Sequence, residues 1–136
     1  MEVPEHFTPL DSSPFGDRVG PLYIKTREAV PTIGVRVEEH HTSRGGRVHG
    51  GLLMTVADVA LSRAVRAQLP PGATMWTADL HIAFLQGIGE GDWLEAQPTV
   101  DRVGRTLVHA SCLLKSGDRE LAKALATFAV RLPGLD

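Results

Sequence analysis

The sequence predicts an α+β fold in which one long central helix is wrapped by a curved antiparallel sheet. Three observations predict it: a single long apolar stretch with helical spacing, alternating segments after it, and turn residues between those segments. Because the helix is apolar on nearly every side, it requires a sheet that curls around it. With 136 residues, 43% of them hydrophobic, the chain is predicted to form a single domain with a real core.

Residues 1–20 are predicted to form an irregular N-terminal arm with about one helical turn, because three prolines and a glycine interrupt the pattern. The domain proper is expected over residues 21–136. It opens with strand-like residues in "LYIKTREA" and, after Pro31, in "TIGVRVEEHHT". The glycines of "SRGGRVHGG" then predict a loop.

A helix is predicted from Gly51 to about Leu69, where "PPG" ends it. Its apolar residues recur at steps of three and four: Leu53, Val56, Ala57, Ala60 and Ala64. The order of elements becomes β-β-α-β-β-β-β.

Four strands follow the helix. In "MWTADLHIAFL" one face is predicted to carry Trp76, Ala78, Leu80, Ile82 and Phe84, and the other Thr77, Asp79 and His81. The segments "DWLEAQPTVDRV" and "RTLVHASCLLK" meet at Gly104, and "SGD" turns the chain into "ELAKALATFAVRL". The alanines on one face of this last strand are expected to let the helix lie close to the sheet.

Composition narrows the function classes. A net charge of -2 with scattered basic residues gives no reason to expect nucleic acid as a partner. The single cysteine, Cys112, is expected to be a small core residue, and it fits a reducing cytoplasm. The N-terminus lacks the pattern of a secretory signal, and the apolar stretch is too short to span a membrane. We therefore expect a cytoplasmic protein with no membrane partner.

Asp58 stands out because it lies at the centre of the predicted apolar helix. It is the only formal charge between Arg47 and Arg63. An ionised carboxylate in apolar surroundings costs several kcal/mol unless partners compensate it. Asp58 could hydrogen-bond a neighbouring loop, face solvent through a gap, or take part in chemistry.

Two glycines at the start of the helix favour chemistry. The backbone N–H groups of Gly50 and Gly51 lack intrahelical partners, and a ligand carbonyl can approach them closely. An N–H aimed at an oxyanion, together with a carboxylate, is the equipment for acyl transfer to water. Eight residues of helix separate Gly50 from Asp58 by about 12 Å. The two groups can therefore meet only across a twofold axis between two chains.

The segment "HGGLLMTVAD" resembles the signature of hotdog-fold acyl-CoA thioesterases of the phenylacetate-degradation (PaaI-like) group. The resemblance extends from "GPLYIK" to the last strand. It implies that the Gly50 N–H polarises the thioester carbonyl and that Asp58 acts as general base or nucleophile. Thr77, after a one-residue shift, matches a residue that orients water in some members. Ser43 stands where many members have an asparagine that helps to place the nucleophile.

The remaining candidates are substrate-binding residues. His49 is predicted to fix the loop beside the glycines or to touch the ligand, and Gly51 offers a second N–H. Arg102 and Arg105 flank Gly104; they form a charged hairpin tip, or one of them, which we take to be Arg105, meets the coenzyme A phosphates of a neighbouring chain. His40 and His41 lack the spacing of a metal site, so no metal is expected.

The expected function is hydrolysis of an acyl- or aryl-acyl-CoA to the free acid and coenzyme A, by a homodimer or homotetramer. The resemblance implies no metal or redox cofactor. Three alternatives stay open: a non-catalytic acyl-CoA-binding module in which Ser43 marks lost chemistry, a hotdog hydratase, and a structural homo-oligomer whose Asp58 serves only the interface.

Overall fold

The computed structural model describes residues 2–26 and 29–134, which build one antiparallel sheet around a long helix. The described elements are β1 (Thr8–Pro9), α1 (Pro14–Val19), β2 (Tyr23–Lys25), β3 (Thr32–Arg36), a 3-10 turn (Glu39–His41), α2 (Gly50–Arg66), β4 (Thr74–Phe84), β5 (Trp93–Val103), β6 (Leu107–Ser116) and β7 (Arg119–Arg131). The strand order is β1-β2-β3-β5-β6-β7-β4, with every neighbouring pair antiparallel. The predicted α+β arrangement is confirmed.

Helix α2 is the predicted apolar helix, and it ends at Arg66, three residues before the expected end. Its 17 residues span about 25 Å and contact five strands, from β3 to β7. The residues that it buries recur at helical spacing: Leu52, Leu53, Val56, Ala57, Ala60, Leu61, Ala64 and Val65. The other residues of the helix are half-buried or exposed, and Asp58 is one of the half-buried ones.

Strand β7 packs a row of small side chains inward, as the alternation predicts. Ala122, Ala124 and Ala126 are buried, and Phe128 fills the core at the end of the row. Because these alanines are short, the adjacent strands β4 and β6 can curl toward the helix without steric conflict.

Strand β4 departs from the predicted alternation. Trp76 and Ala78 are exposed, whereas Leu80 and Ile82 are half-buried against the core, so the prediction that all four share one face is wrong. The cause is a β-bulge in which Ala78 has no partner on β7. One extra residue reverses the alternation, so that Thr77, and not Trp76, lies on the helix side.

The N-terminal arm contains the expected helical turn and a two-residue strand that the sequence pattern did not predict. Helix α1 begins at Pro14, and the Ser13 hydroxyl accepts the Gly16 N–H at 3.0 Å. Arg63 of α2 donates to the Asp11 carbonyl at 2.7 Å and so ties the arm to the central helix. Of the predicted strand over residues 22–29, β2 is the described part that pairs, while residues 27–28 lie outside the described residues.

Cys112 lies on β6 and is buried, as predicted. Burial raises the pKa of its thiol to about 12, so the group stays protonated at working pH. Among the described residues, no helix has the length and apolar content that a membrane crossing requires.

Candidate active site

Asp58 lies half-buried on α2 and has one specific partner. The Thr77 hydroxyl donates to Asp58 Oδ1 at 2.7 Å. The bulge in β4 is what turns Thr77 toward the helix, and bulges commonly re-aim side chains in this way beside functional sites. Since Oδ1 is held by Thr77, Oδ2 is the oxygen left to act on a ligand.

A cavity of about 420 Å³ opens beside this pair. Its lining combines Asp58, Thr77 and Ser62 with apolar side chains of β4 and β7, Met75 and Phe128. A few polar groups converging in a partly apolar cleft is the usual composition of a ligand site.

The N-terminus of α2 is shaped by His49, which caps the helix in extended conformation with φ -72° and ψ 136°. The His49 Nδ1 accepts the Gly51 N–H at 2.8 Å, so that donor is already engaged. Within the described residues, the Gly50 N–H has no hydrogen-bond partner. Of the two glycine donors, Gly50 is therefore the one left for a ligand.

Hydrogen bonds of His41 hold the loop that leads to Gly50. The His49 N–H donates to the His41 carbonyl at 2.8 Å. The buried His41 ring accepts the Glu38 N–H at Nδ1 and therefore carries its proton on Nε2, which donates to the Val19 carbonyl. The loop, the arm and the helix start are thus held together through one histidine.

A second cavity, of about 360 Å³, lies at this end of α2. It is lined by His49, Gly51 and Thr55 and, from the arm, by Phe15 and Arg18. It shares no lining residue with the cavity beside Asp58. The structure therefore brings Asp58 and Thr77 together and leaves Gly50 and His49 about 12 Å away along the same helix.

Two other predicted site residues lie apart from both groups. Ser43 is exposed in the loop before α2, where its N–H donates to the Arg47 carbonyl at 2.7 Å. Arg105 is exposed in the turn between β5 and β6 and lines a third cavity that includes Trp76.

Glu38, His40 and His41 place their ligand atoms within 4.8 Å of one another, the spacing of a possible metal site. Both ring nitrogens of His41 are already hydrogen-bonded, and His40 Nε2 contacts the Gly20 carbonyl at 2.8 Å. A metal would have to break these contacts, so these side chains are better suited to holding the loop and the N-terminal arm by hydrogen bonds.

Two pairs of residues in the Asp58 cavity were missed at the sequence level: Ser12 and Ser13 from the arm, and Arg63 and Arg66 from α2. The arginines had a signal, because they lie five and eight residues after Asp58 on the predicted helix. The serines had none, because no periodicity predicts where an irregular arm returns to the fold.

His41 predicts a pH dependence of stability. Burial lowers its pKa below the ordinary 6.5; the Val19 carbonyl and Glu38 partly offset this, and His40 adds to it. The unfolded chain binds the proton more readily, so this contribution is complete above pH 6.5 and is lost as the pH falls through the lowered pKa. In urea unfolding between about pH 7.5 and 5.5, we expect the free energy of unfolding to decrease toward the lower pH. The His41→Gln variant should show a smaller slope, and an unchanged slope would contradict this assignment.

Comparison with known proteins bears on this site. The model of the thioesterase superfamily matches residues 45–123. A candidate esterase of Pseudomonas aeruginosa is 40% identical over 132 residues, which cover 94% of this chain and 97% of that protein.

Two solved structures show the same fold at low sequence identity. A mutant of the phenylacetic acid degradation protein PaaI of Thermus thermophilus has a TM-score of 0.77 and 22% identity, covering 88% of this chain and 100% of its own. A hypothetical thioesterase of Streptococcus pneumoniae, solved with coenzyme A, has a TM-score of 0.77 and 20% identity, covering 85% and 90%. The predicted hotdog fold is therefore confirmed.

Proposed function

Because this chain belongs to the thioesterase superfamily and is a thioester hydrolase, we propose that its substrate is an acyl- or aryl-acyl-CoA, hydrolysed to the free acid and coenzyme A. The observation that carries the proposal is the Thr77–Asp58 hydrogen bond in a cavity on the central helix. The coenzyme A bound to the Streptococcus pneumoniae structure supports the choice of thiol.

Asp58 supplies the base in this reaction. Its free Oδ2 removes a proton from water as the water oxygen bonds to the thioester carbon. When the C–S bond breaks, the same carboxyl returns the proton to the leaving thiolate, so the products are the acid and the thiol. Direct attack by Asp58 would instead form an anhydride that water hydrolyses. A single turnover in ¹⁸O-water tests for the anhydride: water attack at its Asp58 carbonyl leaves a carboxylate oxygen of Asp58 in the first product, so an unlabelled acid and labelled Asp58 would identify this route.

Gly50 supplies the hydrogen bond that polarises the thioester carbonyl. Its free N–H at the start of α2 donates to the carbonyl oxygen, and the donation strengthens as that oxygen gains negative charge. The His49 cap keeps the first turn of the helix in place while leaving this donor open. In the proposed reaction the Gly50 N–H polarises the carbonyl and Asp58 activates the water, and hydrolysis changes no oxidation state. The proposal therefore includes no metal or redox cofactor.

The site is complete only in a dimer. Strand β4 lies at the end of the sheet, and its outer edge has no partner within the described chain. Thr77 lies beside Asp58, and the Phe84 ring lies beside Gly50, 3.3 Å from where a Cβ would be. Antiparallel pairing of two β4 strands about an axis near Leu80 and His81 would place Thr77 opposite the partner's Phe84. Asp58 would then face the partner's Gly50.

The proposal includes a homodimer, or a tetramer built from two such dimers, in the cytoplasm. A lone buried thiol suits that reducing compartment. Size-exclusion chromatography with light scattering measures the assembly, and a strictly monomeric active protein would contradict the shared site.

A panel of acyl- and aryl-acyl-CoA thioesters with a chromogenic thiol reagent tests the activity. Free coenzyme A reacts with the reagent, whereas the buried Cys112 thiol, with a pKa near 12, adds no background in the folded protein. We expect release of thiol and acid in equal amounts. No release from any thioester would contradict the proposed function.

Thr77 predicts a smaller, graded effect. Thr77→Val removes the hydroxyl that fixes Asp58 Oδ1 and should lower kcat about tenfold, the scale of one hydrogen bond to a charged group. Thr77→Ser keeps the hydroxyl and should retain most of the activity. Steady-state kinetics on both variants checks this, and a loss in Thr77→Ser as large as that in Thr77→Val would contradict a role specific to the hydroxyl.

A further inference from the structure

The cavity beside Asp58 carries more positive charge than ester hydrolysis requires. Two arginines of α2, Arg63 and Arg66, line it together with the hydroxyl-bearing Ser12, Ser13 and Ser62. Asp58 is the single acidic residue among the lining residues. A cavity that contains one base and two cations is equipped to hold an anion in addition to the reacting group.

Backbone carbonyls hold both arginines in place. Arg63 Nη2 donates to the Asp11 carbonyl at 2.7 Å, and Arg66 Nη1 donates to the Ala73 carbonyl at 2.5 Å. Within residues 2–26 and 29–134, neither guanidinium has an acidic partner within 4.0 Å. Each guanidinium has five N–H donors and spends one of them on the recorded carbonyl. The remaining donors and the full charge are available to a ligand.

The spacing along α2 relates these donors to the reacting centre. Ser62 and Arg66 lie one and two turns after Asp58, about 6 and 12 Å along the axis. Arg66 lines the same cavity as Asp58, and its guanidinium lies at the Ala73 carbonyl, beyond the C-terminal end of α2. The gap that remains suits a short acyl group, and the cavity of about 420 Å³ has room for one.

We propose that this cavity is the acyl subsite and that Arg66, with Arg63, selects acyl groups that carry a carboxylate at the end remote from the thioester. This inference rests on the proposed function and names its substrate class: monothioesters of short dicarboxylic acids. Both arginines are exposed, so an alkyl chain of the same length leaves their donors to water and gains nothing from them, whereas a terminal carboxylate gains the charge-assisted hydrogen bonds. The phosphates of coenzyme A are the other possible anion, and the experiment separates the two sources.

The test compares adipoyl-CoA with hexanoyl-CoA, which have equal chain length and differ in the terminal group. We expect kcat/KM to be about fivefold higher for adipoyl-CoA, the upper range of an ion pair made by exposed side chains. Arg66→Gln should reduce this ratio to about one, while Arg131→Gln, an exposed arginine outside the cavity, should leave it unchanged. Equal rates on the two thioesters in the native protein would overturn the proposal.

The same pair is then assayed as N-acetylcysteamine thioesters, which lack every phosphate. If Arg66 binds the acyl carboxylate, the preference persists with this small thiol and still disappears in Arg66→Gln. If Arg66→Gln raises KM equally for both CoA thioesters and has no effect on the small thioesters, the arginines bind phosphate and the proposal is overturned.

A binding measurement separates this inference from the function on which it rests. Hydrolysis of hexanoyl-CoA with no carboxylate preference would reject the subsite and retain the thioesterase. Absence of hydrolysis for every thioester would reject the function. Calorimetric titration with adipate and hexanoate then decides the subsite alone: tighter adipate binding that is lost in Arg66→Gln supports it, and equal binding overturns it.

Discussion

Replacing Asp58 with asparagine is expected to lower kcat by about 10²- to 10⁴-fold, the range that a positioned general base contributes. Asparagine has the same shape and keeps an oxygen that can accept from the Thr77 hydroxyl. It has no charge to take a proton from water. The helix should therefore persist while the chemistry is lost, as circular dichroism and steady-state kinetics on one preparation will show.

The matched control is Asp118→Asn, which makes the same exchange in the exposed turn between β6 and β7. We expect it to keep the native rate. If Asp58→Asn also retained native kcat, Asp58 would have only a structural role on the helix, and the hydrolytic mechanism would be wrong.

Replacing Gly50 with proline is expected to lower kcat by about 10²- to 10³-fold, the cost of removing one oxyanion donor. Proline lacks the N–H, and the first helical position is where a helix accepts it best. The preceding residue, His49, already has the extended backbone that proline requires before it. The substitution therefore removes the donor while leaving α2 able to form.

Gly50→Ala separates the donor from the added bulk. Alanine keeps the N–H and introduces a Cβ that would lie 3.3 Å from the Phe84 ring, and that side chain is 52% exposed and can move slightly. We expect a modest loss for alanine and a large loss for proline. Equal losses in the two variants would show that the space beside Phe84, and not the N–H, is what the site needs.

The sequence predicted the central helix and the last strand well because each has one strong period. Leu53, Val56 and Ala60 repeat at helical spacing, and the alanines of β7 alternate without interruption. The same periodicity exposed Asp58 as an unexpected charge. A strong local pattern can thus identify both a core element and the residue that departs from it.

The β4 prediction failed because alternation alone does not reveal a bulge. "MWTADLHIAFL" alternates in sequence, yet the unpaired Ala78 reverses the faces on its two sides. Trp76 therefore points away from the helix, and Thr77 reaches Asp58. The family resemblance contained a signal for the bulge, because it matched Thr77 only after a shift of one residue.

The cavity walls were not predictable for a different reason. Ser12 and Ser13 belong to an arm whose path depends on long-range contacts, such as that between Arg63 and the Asp11 carbonyl. Such contacts join residues about fifty positions apart and leave no local pattern. Local patterns predicted the reacting groups, whereas the surface that selects the substrate depends on the tertiary fold.

The most direct test of a site shared between two chains is activity in a mixed dimer. Differently tagged Asp58→Asn and Gly50→Pro chains are co-expressed, and the heterodimer is purified through both tags. If each site joins Asp58 of one chain to Gly50 of the other, the heterodimer contains one intact site of two and should recover about half of the native activity. A heterodimer as inactive as its two parents would mean that both groups act within one chain, and would contradict the account.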